Sequence, residues 1–203
     1  MPEGEDPMVA SSYSYSLLHA DLPVCIGYQA VGRSASTRHC VLPARAESVS
    51  AARRFVRDVA EDWRGEPGRF NTLLENLGIV VSELVTNALV HAYEAVRPDR
   101  GHLGAHPEAD LISLCLVHEP CDMGAGESGV ERVLFAVADP SAASPVAPNP
   151  ARAADGLWGL DESGRGMYLV EALADDWGWR RFRAPGAAEP SGKVVWALFE
   201  LAC

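Results

Sequence analysis

The stretch Val80–Ala92, with the sequence VVSELVTNALVHA, decides the fold because it is an apolar run interrupted by polar side chains at one fixed spacing. Glu83, Asn87 and His91 recur every four residues, so in a helix of about 3.6 residues per turn they stack on one side. The apolar positions beside them form the kind of stripe that a core helix buries. The stretch therefore predicts a core helix that carries one polar edge.

Length and composition describe a globular domain with room for one large core. The chain has 203 residues, of which 48% are hydrophobic, and this combination suits a single domain. The formal net charge of -11 argues against broad binding to nucleic acid or to an anionic membrane, since both need positive fields. A basic protein partner, or a ligand held by backbone amides, remains compatible with this charge.

The cysteines and the apolar runs indicate where the protein works. The 5 cysteines are odd in number and form no CxxC pair, so neither a disulfide framework nor a zinc site is predicted. No basic segment followed by an apolar run opens the chain, and no apolar stretch approaches the roughly 20 residues that span a bilayer. We expect a soluble, cytoplasmic protein with reduced thiols.

Hydrophobic periodicity divides the rest of the chain into a tail and one α+β domain. Residues 1–35 are predicted to form a mobile tail or an extension, and residues 36–203 are predicted to form the domain. The predicted helices are Ala46–Trp63, Asn71–Ala95 and a short one marked by Gly166, Met167, Val170, Leu173 and Trp177. The predicted strands are Thr37–Leu42, Leu111–Val117, Val130–Ala138, Trp179–Arg183 and Lys193–Leu201.

These elements predict a two-layer α/β sandwich with a mixed, mostly antiparallel sheet and three main helices on one face. The second and third strands read as one hairpin and the last two as another. The final strand is apolar on both faces and should lie inside the sheet. A Pro-, Ala- and Gly-rich segment at about 139–163 predicts a long functional loop, since structureless loops of this length are uncommon in compact domains.

Four pieces of the sequence can carry chemistry. A carboxylate at Glu83 can act as a base, and the amide oxygen of Asn87 can ligate a hard cation such as Mg²⁺. Asp139 ends an apolar strand, where it can accept a hydrogen bond from an exocyclic amine. The Gly164–Gly166 segment at a helix start allows phosphate to approach backbone N–H groups. Alone, each has a plainer explanation as a helix edge, a turn or a helix entry, and turn chemistry explains Gly192-Lys193 unaided.

In this order the pieces resemble the Bergerat-fold (GHKL) ATPases, the superfamily of gyrase, histidine kinases and the MutL mismatch-repair protein. They resemble most closely the stand-alone anti-sigma-factor serine kinases of the SpoIIAB/RsbW type. Ser82–Ala88 (SELVTNA) with His91-Ala92 matches that group's N box, and Gly164–Met167 (GRGM) matches its second glycine box. Asp139-Pro140 stands where the first glycine box belongs. The resemblance covers about Leu42 to Leu201.

The resemblance implies an ATP-binding protein kinase that uses Mg²⁺. Glu83 would be the catalytic base, Asn87 the Mg²⁺ ligand, and Asp139 the residue that reads the adenine amino group. Gly164 and Gly166 would let the lid and the helix close on the phosphates, with Arg165 as a supplement. The acceptor would be a serine on an anti-anti-sigma partner. His91 is interpreted as a packed structural histidine, because the chain lacks the helix hairpin that carries a histidine-kinase phosphoacceptor.

The chain also departs from the family's pattern in two places. Asp139 is followed by Pro140–Ala143 (PSAA) instead of the usual glycines, and Val194 stands where the family often has Thr after Gly-Lys. These changes favour an alternative function, a non-catalytic binding module of the same fold that sequesters a sigma factor or another regulator. A detached histidine-kinase ATPase domain is a third interpretation. A sigma factor or an anti-anti-sigma protein is the expected partner, and a homodimer remains open.

Overall fold

The computed structural model describes residues 35–63, 70–90, 111–121, 129–145, 165–183 and 187–203. The predicted tail, apart from residue 35, and most of the predicted loop at 139–163 lie outside these ranges. Eight elements make up the described part of the chain. They are β1 (Ser36–Pro43), α1 (Glu47–Ala60), α2 (Asn71–Asn87), β2 (Leu111–Glu119), β3 (Val130–Asp139), α3 (Arg165–Leu173), β4 (Asp176–Phe182) and β5 (Gly192–Ala202).

The five strands form one sheet in the order β1-β2-β3-β5-β4. Every pairing among them is antiparallel, which confirms the two predicted hairpins, β2–β3 and β4–β5. The apolar strand β5 lies inside the sheet between β3 and β4, as its two apolar faces predict. The predicted α+β sandwich is therefore confirmed, with a described sheet that is antiparallel throughout.

The main core lies between the sheet and the three helices. Strand side chains alternate between the two faces of a sheet, and the alternate positions of the inner strands pack with the buried stripes of the helices. This core contains Ile112, Leu114 and Leu116 of β2, Val133, Phe135 and Val137 of β3, and Val195, Ala197 and Phe199 of β5, against Ala52, Val56, Leu77, Val81, Leu84 and Val170 of the helices. The helices thus occupy one face, as predicted.

Helix α2 is the centre of the helical layer and packs against both α1 and α3. Leu77, Val80 and Val81 are fully buried, which confirms the stripe that the sequence predicts. Its N-terminus is at the predicted residue, Asn71. The last turn, residues 88–90, is wound as a π-helix, and the predicted end at Ala95 lies outside the described residues.

The segment Asn71–Val90 has the length and composition of a membrane-crossing helix, with 20 residues and a mean hydropathy of 1.5. The sequence-based expectation that no apolar stretch approaches this length is therefore wrong. A core helix of a soluble protein meets the same criteria, and α2 has a buried apolar side in the core. The length and composition of α2 alone do not distinguish a core helix from a membrane-crossing helix.

The structure corrects two further expectations. Trp177 lies in β4 and not in the third helix, because the chain turns at Ala174 and Asp175 after the helix ends at Leu173.

Cys121 and Cys203 form a disulfide bond across 82 residues of sequence, although no disulfide was expected. Short-range spacing gives no sign of this bond, since the two cysteines follow β2 and β5 and meet only through the sheet. Cys40 and Cys115 are free thiols.

Candidate functional site

Helix α2 places Glu83 and Asn87 one turn apart at the edge of its buried stripe. Both side chains are half-buried, whereas their neighbours Leu84 and Val85 are in the core. The packing of those neighbours fixes the rotation of the helix about its axis and therefore the direction of the polar edge. The π-helical turn begins directly after Asn87, and such turns occur frequently at functional sites.

Gly166, near the start of α3, lies directly against this polar edge. A β-carbon on Gly166 would come within 2.6 Å of Glu83 Oε2 and 3.3 Å of Asn87 Nδ2. Only a residue without a side chain allows such an approach. The structure therefore brings together three of the predicted site residues, Glu83, Asn87 and Gly166. Gly164 and the side chain of Arg165 lie outside the described part of the chain, as does His91.

A cavity of about 250 Å³ extends from Asn87 toward the end of β3. Its walls are mainly apolar and come from α2, β3, the segment after β3, α3 and β5. The lining residues are Leu84, Asn87, Ala88, Val137, Asp139, Ser141, Ala143, Ser144, Pro145, Met167, Lys193 and Val195. An apolar cleft with a few convergent polar groups is the usual form of a small-molecule site, and here the apolar walls could hold a flat ring.

Asp139 and Lys193 form an ion pair in the wall of the cavity. They are opposite residues in the β3–β5 register, and Lys193 Nζ lies 2.9 Å from Asp139 Oδ1. Asp139 is 3% exposed and Lys193 is 6% exposed. The carboxylate predicted to read a base is therefore already paired with a buried cation, and a buried charge needs such a partner.

The segment after Asp139 is held by side chains instead of being freed by glycines. The Ser141 N–H donates to Asp139 Oδ1 at 2.8 Å, and the Ala143 N–H donates to Ser141 Oγ at 3.3 Å. From β4, Arg181 Nε donates to the Ala142 carbonyl oxygen at 2.8 Å. Residues 140–145 thus form a tethered wall of the cavity where the resemblance implied a glycine hinge.

Lys193 is the site residue that sequence reasoning missed. A turn does not explain the presence of Gly192-Lys193, because both residues belong to β5. A β-carbon on Gly192 would meet the carbonyl oxygen of Asp139 and the ring of Phe182. The residue that faces Asp139 is Lys193, whereas Val194 packs in a second cluster on the other face of the sheet. Lys193 therefore lines the cavity, whereas the departure at Val194 does not reach it. The sequence signal that could have identified Lys193 is its position opposite Asp139 in the paired strands β3 and β5.

Comparison with known proteins identifies the family of the chain. A family model for the histidine kinase-like ATPase domain matches residues 42–198, which includes α2, the cavity and the Asp139–Lys193 pair. The chain belongs to the histidine kinase-like ATPase family. No curated protein matches the chain significantly. Membership indicates ATP binding and agrees with a kinase activity, since the family includes kinases.

The residues of this histidine kinase-like ATPase domain are suited to Mg²⁺ as well as to a nucleotide. The described residues contain no group of three or more His, Cys, Asp and Glu side chains that could hold a metal by themselves. Mg²⁺ does not need such a cage, because it keeps several waters and takes oxygen ligands from substrate phosphates. The amide oxygen of Asn87, beside the side-chain-free surface of Gly166, fits the part of a single protein ligand.

Proposed function

We propose that the protein binds Mg-ATP in this cavity and transfers the γ-phosphoryl group to a serine of an anti-anti-sigma-type protein. It would act as a stand-alone anti-sigma-factor serine kinase in the cytoplasm, with a sigma factor as the second partner. The observation that carries the proposal is the close packing of Glu83, Asn87 and Gly166, together with the position of Asn87 in the lining of an apolar cavity. This arrangement offers a base, a Mg²⁺ ligand and a helix N-terminus around a single helix junction.

Each of these residues has a defined task in the proposed reaction. The Glu83 carboxylate accepts the proton of the attacking serine hydroxyl, which raises the nucleophilicity of its oxygen. Asn87 contributes its amide oxygen to Mg²⁺. Gly166 lets the N-terminus of α3 approach Glu83 and Asn87 closely, and the backbone N–H groups and the helix dipole there favour negative charge. ATP supplies the phosphoryl group and leaves as ADP, and the apolar walls of the cavity would hold the adenine ring.

One observation favours the alternative function, a binding module that sequesters a sigma factor without catalysis. The Asp139 carboxylate already accepts hydrogen bonds from Lys193 and from the Ser141 N–H, and the segment after it is tethered. Both features limit the rearrangement that nucleotide entry would need. In this alternative the fold would be retained for its surface, and partner binding would not depend on ATP.

Transfer of labelled phosphate distinguishes the two functions. Purified protein is incubated with γ-labelled Mg-ATP and a panel of anti-anti-sigma-type proteins, and labelled serine is identified by mass spectrometry. The proposal predicts transfer to at least one of them. The Glu83→Gln variant should lower the rate by about 10²–10⁴-fold, which is the usual contribution of a general base, while ATP affinity changes little.

The contrary result would be ATP-independent capture of a sigma factor with no labelled protein in the panel. If Glu83→Gln leaves the rate of phosphoryl transfer unchanged, Glu83 does not act as the base. A Glu75→Gln variant provides the control, since Glu75 lies on the same helix near its N-terminus and away from the cavity lining.

A further inference from the structure

Lys193 is the only lysine in the chain, and every other Lys or Arg position carries arginine. Lysine is normally an exposed residue because its ammonium group is strongly hydrated. Here the side chain of Lys193 is only 7% exposed. A chain that uses arginine at all its other cationic positions therefore has its single lysine buried in the wall of a cavity.

The hydrogen bonds of Lys193 leave donor capacity facing that cavity. Its ammonium group has three N–H donors. Within the described residues its acceptors are Asp139 Oδ1 at 2.9 Å and the Ser141 carbonyl oxygen at 3.4 Å. The remaining N–H can be donated to a ligand, since Lys193 and Asp139 both line the cavity.

A second buried pair, His118 and Glu131, lies outside the lining of this cavity. His118 Nε2 and Glu131 Oε1 are 2.5 Å apart at the opposite end of the sheet. The indole ring of Trp63 stacks on the His118 ring with centroids 4.5 Å apart. That pair is covered by protein, whereas Asp139 and Lys193 face a space that a ligand can enter.

We propose that Lys193 determines base specificity, so that the pocket accepts a 6-oxo purine as well as a 6-amino purine. This inference rests on the proposed nucleotide binding at the same site. A carboxylate alone only accepts hydrogen bonds, so it suits the amino group of adenine and opposes the oxygen of a 6-oxo purine. With Lys193 beside it, the end of the pocket offers one acceptor and one donor.

Both types of purine match that donor and acceptor pair. Adenine donates from its amino group to Asp139 and accepts from Lys193 at N1. Hypoxanthine accepts from Lys193 at its 6-oxygen and donates from N1–H to Asp139. The two bases use the pair in opposite order, and neither leaves a buried polar group unsatisfied. A site normally discriminates between two ligands when one of them leaves such a group unsatisfied.

The test compares binding of Mg-ATP and Mg-ITP to the full chain by titration calorimetry. Inosine and adenosine differ only at position 6 and in the N1 proton, so the comparison isolates the edge that Lys193 would contact. For the wild type we expect dissociation constants within about tenfold of each other. In Lys193→Met, which removes the donor at similar length, each nucleotide loses one hydrogen bond, but only ITP then has an unpaired 6-oxygen beside the Asp139 carboxylate. ITP binding should therefore weaken by about 10- to 100-fold relative to ATP.

Two additional variants complete the design. Lys193→Met leaves Asp139 buried without its cation, so the neutral double variant Asp139→Asn/Lys193→Met provides a second protein without that charge. Because the Asn amide again offers one acceptor and one donor, this variant should regain the wild-type tolerance for ITP that Lys193→Met loses. Arg180→Met is the matched control, because it removes an exposed cation from the neighbouring strand β4. It should keep the wild-type ratio of ITP to ATP affinity.

The wild-type measurement alone can overturn the inference. ITP binding more than about 100-fold weaker than ATP binding would refute it while leaving the proposed function intact. A ratio that Lys193→Met does not change would also refute it, because the donor would then have no part in base selection. Failure of both nucleotides to bind would instead refute the proposed function, and this inference with it.

Discussion

Gly166 packs closely against two other proposed site residues. Its missing side chain leaves the space that Glu83 and Asn87 occupy. We predict that Gly166→Ala folds, since the atoms it would meet are the ends of flexible side chains, but displaces the Glu83 carboxylate. A shift of about 1 Å in a catalytic group can cost up to about 10²-fold in rate, so phosphoryl transfer should fall at least tenfold.

Gly78 offers a matched control for this substitution. It lies in the middle of α2, and a β-carbon there would meet nothing within 4 Å. Because Gly in a helix interior destabilises by about 0.5–1 kcal/mol relative to Ala, Gly78→Ala should raise the melting temperature slightly and leave transfer unchanged. Equal effects of the two substitutions on transfer would contradict the role given to Gly166.

A second residue-scale prediction concerns the buried thiol of Cys115. Burial raises its pKa from 9.0 to about 12, because a thiolate is poorly solvated in the core. The unfolded chain therefore loses this proton first as the pH rises above 9, and stability falls between pH 9 and 12. By pH 10 the loss from this group should be about 1.4 kcal/mol.

Chemical denaturation at pH 8 and pH 10 measures this effect. The Cys115→Val variant keeps an apolar side chain of similar size and has no proton to lose, so its free energy of unfolding should fall less than that of the wild type. The prediction is wrong if the two proteins lose the same stability over this range.

At the scale of secondary-structure elements, the segment after β3 depends on β4 for its position. Arg181 donates to the Ala142 carbonyl oxygen from a strand at the edge of the described sheet. We predict that Arg181→Ala increases amide hydrogen exchange in residues 140–145 and lowers global stability by less than about 1 kcal/mol, since the side chain is exposed. Exchange mass spectrometry measures this directly.

The neighbouring Arg180 supplies the control for the tether. Its side chain is also exposed, so Arg180→Ala removes the same charge and should leave exchange in residues 140–145 unchanged. If both variants increase exchange equally, the effect comes from net charge and not from the hydrogen bond of Arg181.

The elements themselves could largely be predicted from hydrophobic periodicity. The apolar alternation of β3 and β5 and the stripe of α2 depend on local sequence, and their predicted positions agree with the structure to within a few residues. Trp177 was misplaced because its spacing from Leu173 fits a helix, whereas the chain turns between them. Lys193 was missed because its meaning depends on Asp139, which lies 54 residues away and becomes its neighbour only through strand pairing.

At the scale of the whole molecule, the Cys121–Cys203 disulfide links the chain beyond β2 to the C-terminus. It closes a large loop, with a sequence separation of 82 residues, and disulfides of this kind typically stabilise by about 2–4 kcal/mol through the unfolded state. We predict a loss of that size in the Cys121→Ser/Cys203→Ser variant, measured by denaturant unfolding. Cys40→Ser serves as the control, since Cys40 is a half-buried free thiol.

The behaviour of this variant under reducing conditions gives a second readout. A reducing agent should destabilise the wild type toward the level of the variant and should leave the variant unchanged. Equal stability of oxidised and reduced wild type would contradict a contribution of the bond to the fold.

Thermal melting with Mg-ATP tests most directly the central claim that the cavity is a nucleotide site. A ligand that binds only the folded state at about 100 times its dissociation constant stabilises by about 2.7 kcal/mol, which for a domain of this size is a rise in melting temperature of roughly 5–10 °C. We predict such a rise for the wild type and a much smaller one for Asn87→Ala at the same concentration. An unchanged melting temperature at millimolar Mg-ATP, or an equal rise in Asn87→Ala, would contradict the proposed site.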